Sequence, residues 1–129
     1  MSTGFVLGAR VPAQVTAAGM LLMALKGPAA IDAWLQARHG LQTFSEHTIT
    51  DLPAMRAQLH QVRQQDWALS EQQLDLDYRG VAVPLRDRMG ETVGALSIIM
   101  PMQHEASADA LRRVLPLLKE TAQSMRNLI

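Results

Sequence analysis

Four histidines, a few serines and one run of small residues are the places where this 129-residue sequence could do chemistry. A metal site needs converging ligands, and the usual local device is a pair of histidines one helical turn apart. His39, His47, His60 and His104 offer no such i, i+4 pair and no HExxH-like run, so no metal and no cofactor are expected. The chain has no cysteine, which excludes disulfides, thiolate catalysis and cysteine-held clusters. Nucleophilic catalysis would want a serine on a sharp exposed turn. There is no Gly-x-Ser-x-Gly elbow, and Ser97 falls inside a strand pattern. The sequence therefore reads as non-enzymatic, with no catalytic residue.

Thr16-Ala17-Ala18-Gly19 is different. If Thr16 caps a helix, the amides of Ala18 and Gly19 are first-turn donors without an intrahelical partner. Small side chains leave that backbone open, and a helix N-terminus suits a carboxylate or phosphate. The same small residues would also let a helix pack closely on a sheet. Spacing alone leaves both readings open.

The elements that would position these residues follow from periodicity. Phe5 to Arg10 reads as a short strand or extended lead-in, and Ala13 to Lys26 as a helix with apolar residues at Val15, Ala18, Leu22 and Leu25. Gly27-Pro28 is a stop followed by a start, and a second helix runs from about Ala29 to Arg38. A recognition helix for DNA would need several cationic or amide side chains, and this one offers only Asp32, Gln36 and Arg38. Thr50-Asp51 caps a third helix, in which Leu52, Met55, Leu59 and Val62 share one face. The period then changes to two. Val81 to Leu85 and Thr92 to Met100 are the arms of a hairpin joined at Asp87-Arg88-Met89-Gly90. Both strand faces are largely apolar, so layers are expected on both sides; Pro84 implies an edge or a bulge. A Ser107 cap opens a last amphipathic helix, Leu111 to Ile129, with a bend expected before Pro116. The sum is an α+β fold.

Composition bounds the rest. Hydrophobic residues at 48% can fill one core, and 129 residues suit one domain, here residues 1–129. Twelve basic residues balance twelve acidic ones, which removes the electrostatic reason to expect nucleic acid or an acidic membrane as partner. No apolar run approaches the length of a membrane span and the first residues lack a signal-peptide pattern, so a cytoplasmic location is expected.

Several stretches, read in order, resemble the effector-binding domain of IclR-type transcriptional regulators. Gly8-Ala9-Arg10-Val11-Pro12 through Thr16-Ala17-Ala18-Gly19 to Leu21-Leu22-Met23-Ala24 is similar to that family's Gly-x-Arg-Leu-Pro…Thr-Ala-x-Gly…Leu-Leu-Ala segment. Thr48-Ile49-Thr50-Asp51, followed by Leu59, Val62 and Arg63, is similar to its lead into the central helix. Val81-Ala82-Val83-Pro84-Leu85-Arg86-Asp87, Gly90 and Gly94-Ala95-Leu96-Ser97 are similar to its hairpin. The hairpin and the Leu115-Pro116-Leu117-Leu118 helix lean toward the PcaR/PobR-like branch, regulators of aromatic-acid breakdown.

The resemblance implies a GAF- or profilin-like antiparallel sheet flanked by helices, lacking the family domain's first strands and its winged helix. It implies effector contacts at Thr16, Ala17, Ala18 and Gly19, at Ser70, at Gly80, and at Ser97 and Ile99. The implied effector is a small organic or aromatic acid such as protocatechuate, 4-hydroxybenzoate or β-ketoadipate. An unpaired sheet edge implies self-association as a dimer or higher. The pattern is not followed everywhere: Ile99 stands where the family often has a serine, and Gly80 where cysteine or serine is common. A less polar pocket suits an aromatic or aliphatic acid. The alternative is an oligomerisation module whose pocket is vestigial.

Overall fold

Strand pairing explains the architecture most directly. In this computed structural model, which describes Leu7, Gly8 and residues 10–129, three antiparallel strands lie in the order β1 (Ala68–Glu71), β2 (Tyr78–Arg86), β3 (Thr92–Pro101). Residues paired across strands project to the same side of a sheet. Ala68, Ala82 and Ser97 therefore share one face with Ser70, Gly80 and Ile99. Leu69, Val81 and Ile98 share the other with Glu71, Arg79 and Met100. The sheet is covered on both faces. α1 (Ala17–Ala24) lies on the first, and α4 (Ser107–Met125), through Ala110 and Val114, closes over Val81 and Met100 on the second.

The larger core lies behind α1. α1, α2 (Pro28–Gln36) and α3 (Leu52–Gln65) bring Met20, Leu21, Ile31, Met55, Leu59 and Val62 together with Ala68 and Ala82. Burying one such side chain fully is worth about 2 kcal/mol. The polar face of α3 remains outside. Its start is fixed by Asp51, whose carboxylate accepts from the Ala54 amide at 3.0 Å. Its end is fixed by Asp66 in the left-handed region (φ 66°), whose carboxylate takes two hydrogen bonds from Arg86 at 2.6 and 2.8 Å. This pair ties the helix end to β2.

Several sequence expectations are corrected. The first helix does not run unbroken from Ala13 to Lys26: Ala13–Val15 form a 3-10 turn, Thr16 is extended, and α1 starts at Ala17. β1 was not apparent in the sequence, and β2 starts at Tyr78 rather than Val81. Pro84 lies on the central strand, but β1 begins at Ala68, which pairs with Ala82, so beyond Ala82 β2 has only β3 beside it, and the register shifts between Leu85 and Arg86. Ser107 is not the cap of α4. Ala106 holds that position without a side-chain bond, and the Ser107 hydroxyl donates instead to Glu71. α4 continues through Pro116 to Met125, followed by a 3-10 turn at Arg126–Leu128. The lead-in expected over Phe5 to Arg10 falls largely outside the described residues, of which Leu7 and Gly8 form a turn. Gly90 takes φ +84° at the hairpin, as its position requires.

Candidate functional site

The start of α1 is built by its own sequence. Thr16 is held extended, and its Oγ1 accepts from the Gly19 amide at 3.0 Å while its hydroxyl donates to the Ala13 carbonyl at 3.2 Å. That cap leaves the Ala17 and Ala18 amides, the first two of the helix, without a backbone acceptor among the described residues. The Ala17 methyl rests on the sheet at Gly80. A Cβ at position 80 would lie 3.4 Å from that methyl, so a glycine here lets helix and strand approach closely.

Between α1 and the sheet is a cavity of about 260 Å³. Thr16, Ala17, Ala18, Ser70, Gly80, Ser97 and Ile99 all line it, so two helical amides and three strands meet around one space. Gly19 is the exception. A Cβ built there would stand 2.2 Å from the Ala13 carbonyl oxygen, so its open side is filled by the 3-10 turn. Its amide, expected to be a free donor, is spent on Thr16.

The cavity walls are mostly apolar, with Val11, Val15, Leu74 and Ile99 among them. Several polar groups at the wall are already committed. The Ser70 hydroxyl donates to the Val15 carbonyl at 2.9 Å. Gln73 accepts from the Ile49 amide at 2.7 Å and donates to the His47 carbonyl at 2.9 Å. Thr48 completes this strap: its hydroxyl takes hydrogen bonds from the Phe44 and Ser45 amides and donates to the Gln73 carbonyl. Ser97 is exposed on β3, and its hydroxyl has no partner among the described residues.

The reading of the sequence missed Gln73, Leu74 and Asp75 on the link from β1 to β2 and Tyr78 at the start of β2, together with Val11 and Val15 before α1. Arg79 also borders the cavity, but its register turns the side chain to the α4 face. There the guanidinium, 1% exposed, is 2.9 Å from the Glu71 carboxylate and donates to the Glu105 carbonyl at 2.7 Å. Glu105 in turn holds Arg113 at 2.7 Å, and this hydrogen bond keeps the Glu105 carboxyl below the ordinary glutamate range. Among the described residues no three His, Asp or Glu side chains converge as a metal site, and no single helix is long and apolar enough to cross a membrane.

Comparison with known proteins gives consistent results. Residues 2–127 match the family model "Bacterial transcriptional regulator IclR C-terminal". The chain is 32% identical over 126 residues to the Pca operon regulatory protein of Acinetobacter baylyi, covering 98% of this chain and 45% of that protein. It is 32% identical to the p-hydroxybenzoate hydroxylase transcriptional activator of the same organism, covering 98% of this chain and 46% of that protein. Among solved structures it is similar to a double mutant of the PobR transcription factor inducer binding domain from Acinetobacter, in complex with 3-hydroxybenzoic acid. That similarity has a TM-score of 0.87 and 32% identity, covering 98% of this chain and 71% of that one. The chain thus spans a little under half the length of the curated relatives it matches.

Proposed function

The chain belongs to the IclR C-terminal family of bacterial transcriptional regulators, and on that premise we propose that its α1–sheet cavity senses a small aromatic acid. The observation that carries this reading is the pairing of two unspent helical amides with a mostly apolar cavity. A carboxylate at the start of α1 accepts from the Ala17 and Ala18 amides, where the helix dipole favours negative charge. The Ser97 hydroxyl donates from the opposite wall, and a ring packs against Val15, Leu74 and Ile99. Hydrogen bonds to a charged group are worth about 1.5–3 kcal/mol each, enough to orient a ligand of this size. Ile99, where the family often has serine, makes this an apolar contact. The relatives are regulators of transcription rather than enzymes, and this chain's part in such a protein is to convert occupancy of the cavity into a shift between arrangements of the whole.

Self-association belongs to the same proposal. Among the described residues the outer edge of β3 has no paired strand, and Val93, Ile98 and Ile99 are exposed along it. A second copy is the partner we assign to that edge.

One observation favours the alternative of an oligomerisation module with a vestigial pocket: the hydroxyls of Thr16 and Ser70 donate within the protein and are not free to donate to a ligand. Calorimetric titration with protocatechuate, 4-hydroxybenzoate and 3-hydroxybenzoate separates the two. Saturable heat with at least one supports sensing. No heat with any, from a folded sample, overturns it.

A further inference from the structure

We propose that Asp75 sets the class of acid this cavity accepts: a monocarboxylate carrying a neutral hydrogen-bond donor at its far end, and not a dicarboxylate. The inference rests on the sensing reading above and narrows it.

Among the described residues, only two ionic ones border the cavity, Asp75 and Arg79. Arg79 is committed to Glu71 and the Glu105 carbonyl on the opposite face of the sheet, so its charge does not serve this side. Two neutral side chains at the wall, Ser70 and Gln73, already donate to the Val15 and His47 carbonyls. A second carboxylate would find no cation and would face the like charge of Asp75, the kind of juxtaposition that excludes wrong partners.

Asp75 itself is held for a different task. Its Oδ1 accepts from the Asp77 amide at 2.9 Å, and its carbonyl accepts from the Tyr78 amide at 3.3 Å. The second carboxylate oxygen, Oδ2, has no partner among the described residues. It is therefore an acceptor awaiting a donor. Position matters as much as charge. Ser97 pairs with Ala82, whereas the link that carries Asp75 leaves the sheet beside the Tyr78–Pro101 pair, four residues further along. Strand rise places these rows roughly 13 Å apart. A para-hydroxybenzoate with one hydrogen bond at each end fills such a span. The carboxylate would sit between α1 and Ser97, and the phenolic hydroxyl would donate to Asp75.

The test is calorimetric titration of the chain with 4-hydroxybenzoate, benzoate and adipate, repeated on D75N and D75A. For the unchanged protein, 4-hydroxybenzoate is expected to bind about tenfold more tightly than benzoate, and adipate not to bind at all. In both variants the ratio of 4-hydroxybenzoate to benzoate affinity should fall to near unity. Adipate should gain binding in D75N, whose amide donates, but not in D75A. If adipate binds the unchanged protein as tightly as 4-hydroxybenzoate, or the ratio survives in D75N, Asp75 is not the selector although sensing stands. If benzoate too fails to bind, the sensing reading falls and takes this inference with it.

Discussion

Gly19 shows how a single missing methyl governs the site. Replacing a helical glycine with alanine ordinarily gains up to about 1 kcal/mol. Here the new Cβ would meet the Ala13 carbonyl oxygen at 2.2 Å, a backbone atom that cannot rotate away. G19A is therefore expected to destabilise the chain by about 1–3 kcal/mol, the usual range for overpacking, seen as a lower urea midpoint. It should also weaken aromatic-acid binding, because the 3-10 turn and the start of α1 must separate. Ser97 is the opposite case. Its hydroxyl holds nothing else among the described residues, so S97A should leave the melting temperature unchanged and weaken 4-hydroxybenzoate by roughly tenfold. The Thr16 cap was legible in the sequence because capping is decided within four residues. The direction of the Gly19 amide was not, since it depends on the turn packed behind it. Asp75 and Tyr78 were out of reach for the same reason: they border the cavity only because β1 pairs with β2.

Pairing of elements accounts for what the sequence hid and for what should break first. β2 and β3 show in the sequence through the period of two over Val81 to Leu85 and Thr92 to Met100, whereas β1 has four residues, Ala68-Leu69-Ser70-Glu71, too few to carry a period. Yet β1 supplies Glu71, which meets the buried Arg79 at 2.9 Å and accepts from Ser107 at the start of α4. Removing one partner of such a pair leaves a charge without compensation. E71A is expected to cost about 3 kcal/mol in chemical denaturation, far more than the exposed Arg112–Asp109 pair would. Glu105, beside the same helix start, adds a dependence on acidity. Its carboxyl is depressed chiefly by the hydrogen bond from Arg113. A depressed carboxyl contributes stability that is complete above its unfolded value and disappears as pH falls through its lower folded value. The melting temperature should therefore fall on acidification below the ordinary glutamate range, and E105Q should flatten that part of the curve.

At the scale of the whole molecule, the α+β class and the covering of both sheet faces could be read from the sequence, because the hairpin strands carry apolar residues on both of their faces. The cavity leaves no mark in composition or periodicity, since an empty space has no residue type; it was implied by the family resemblance alone, and seven of the eight residues so implied line it. Zero net charge places no electrostatic barrier between two copies, and sedimentation is expected to find a dimer or larger. Val93→Lys together with Ile98→Lys, on the β3 edge but outside the cavity lining, should return the monomer and leave acid binding intact. β3 contains ten residues and none is charged. Its outer rim, unpaired among the described residues, offers a row of main-chain donors and acceptors, and such a row is the same for every strand that comes to it. Admission at that rim is open to any extended peptide. Choice of the right one therefore falls to the side chains above and below, so the exposed Ile99, which also forms part of the cavity wall, stands at once in the lock for the small acid and in the threshold for the neighbouring strand.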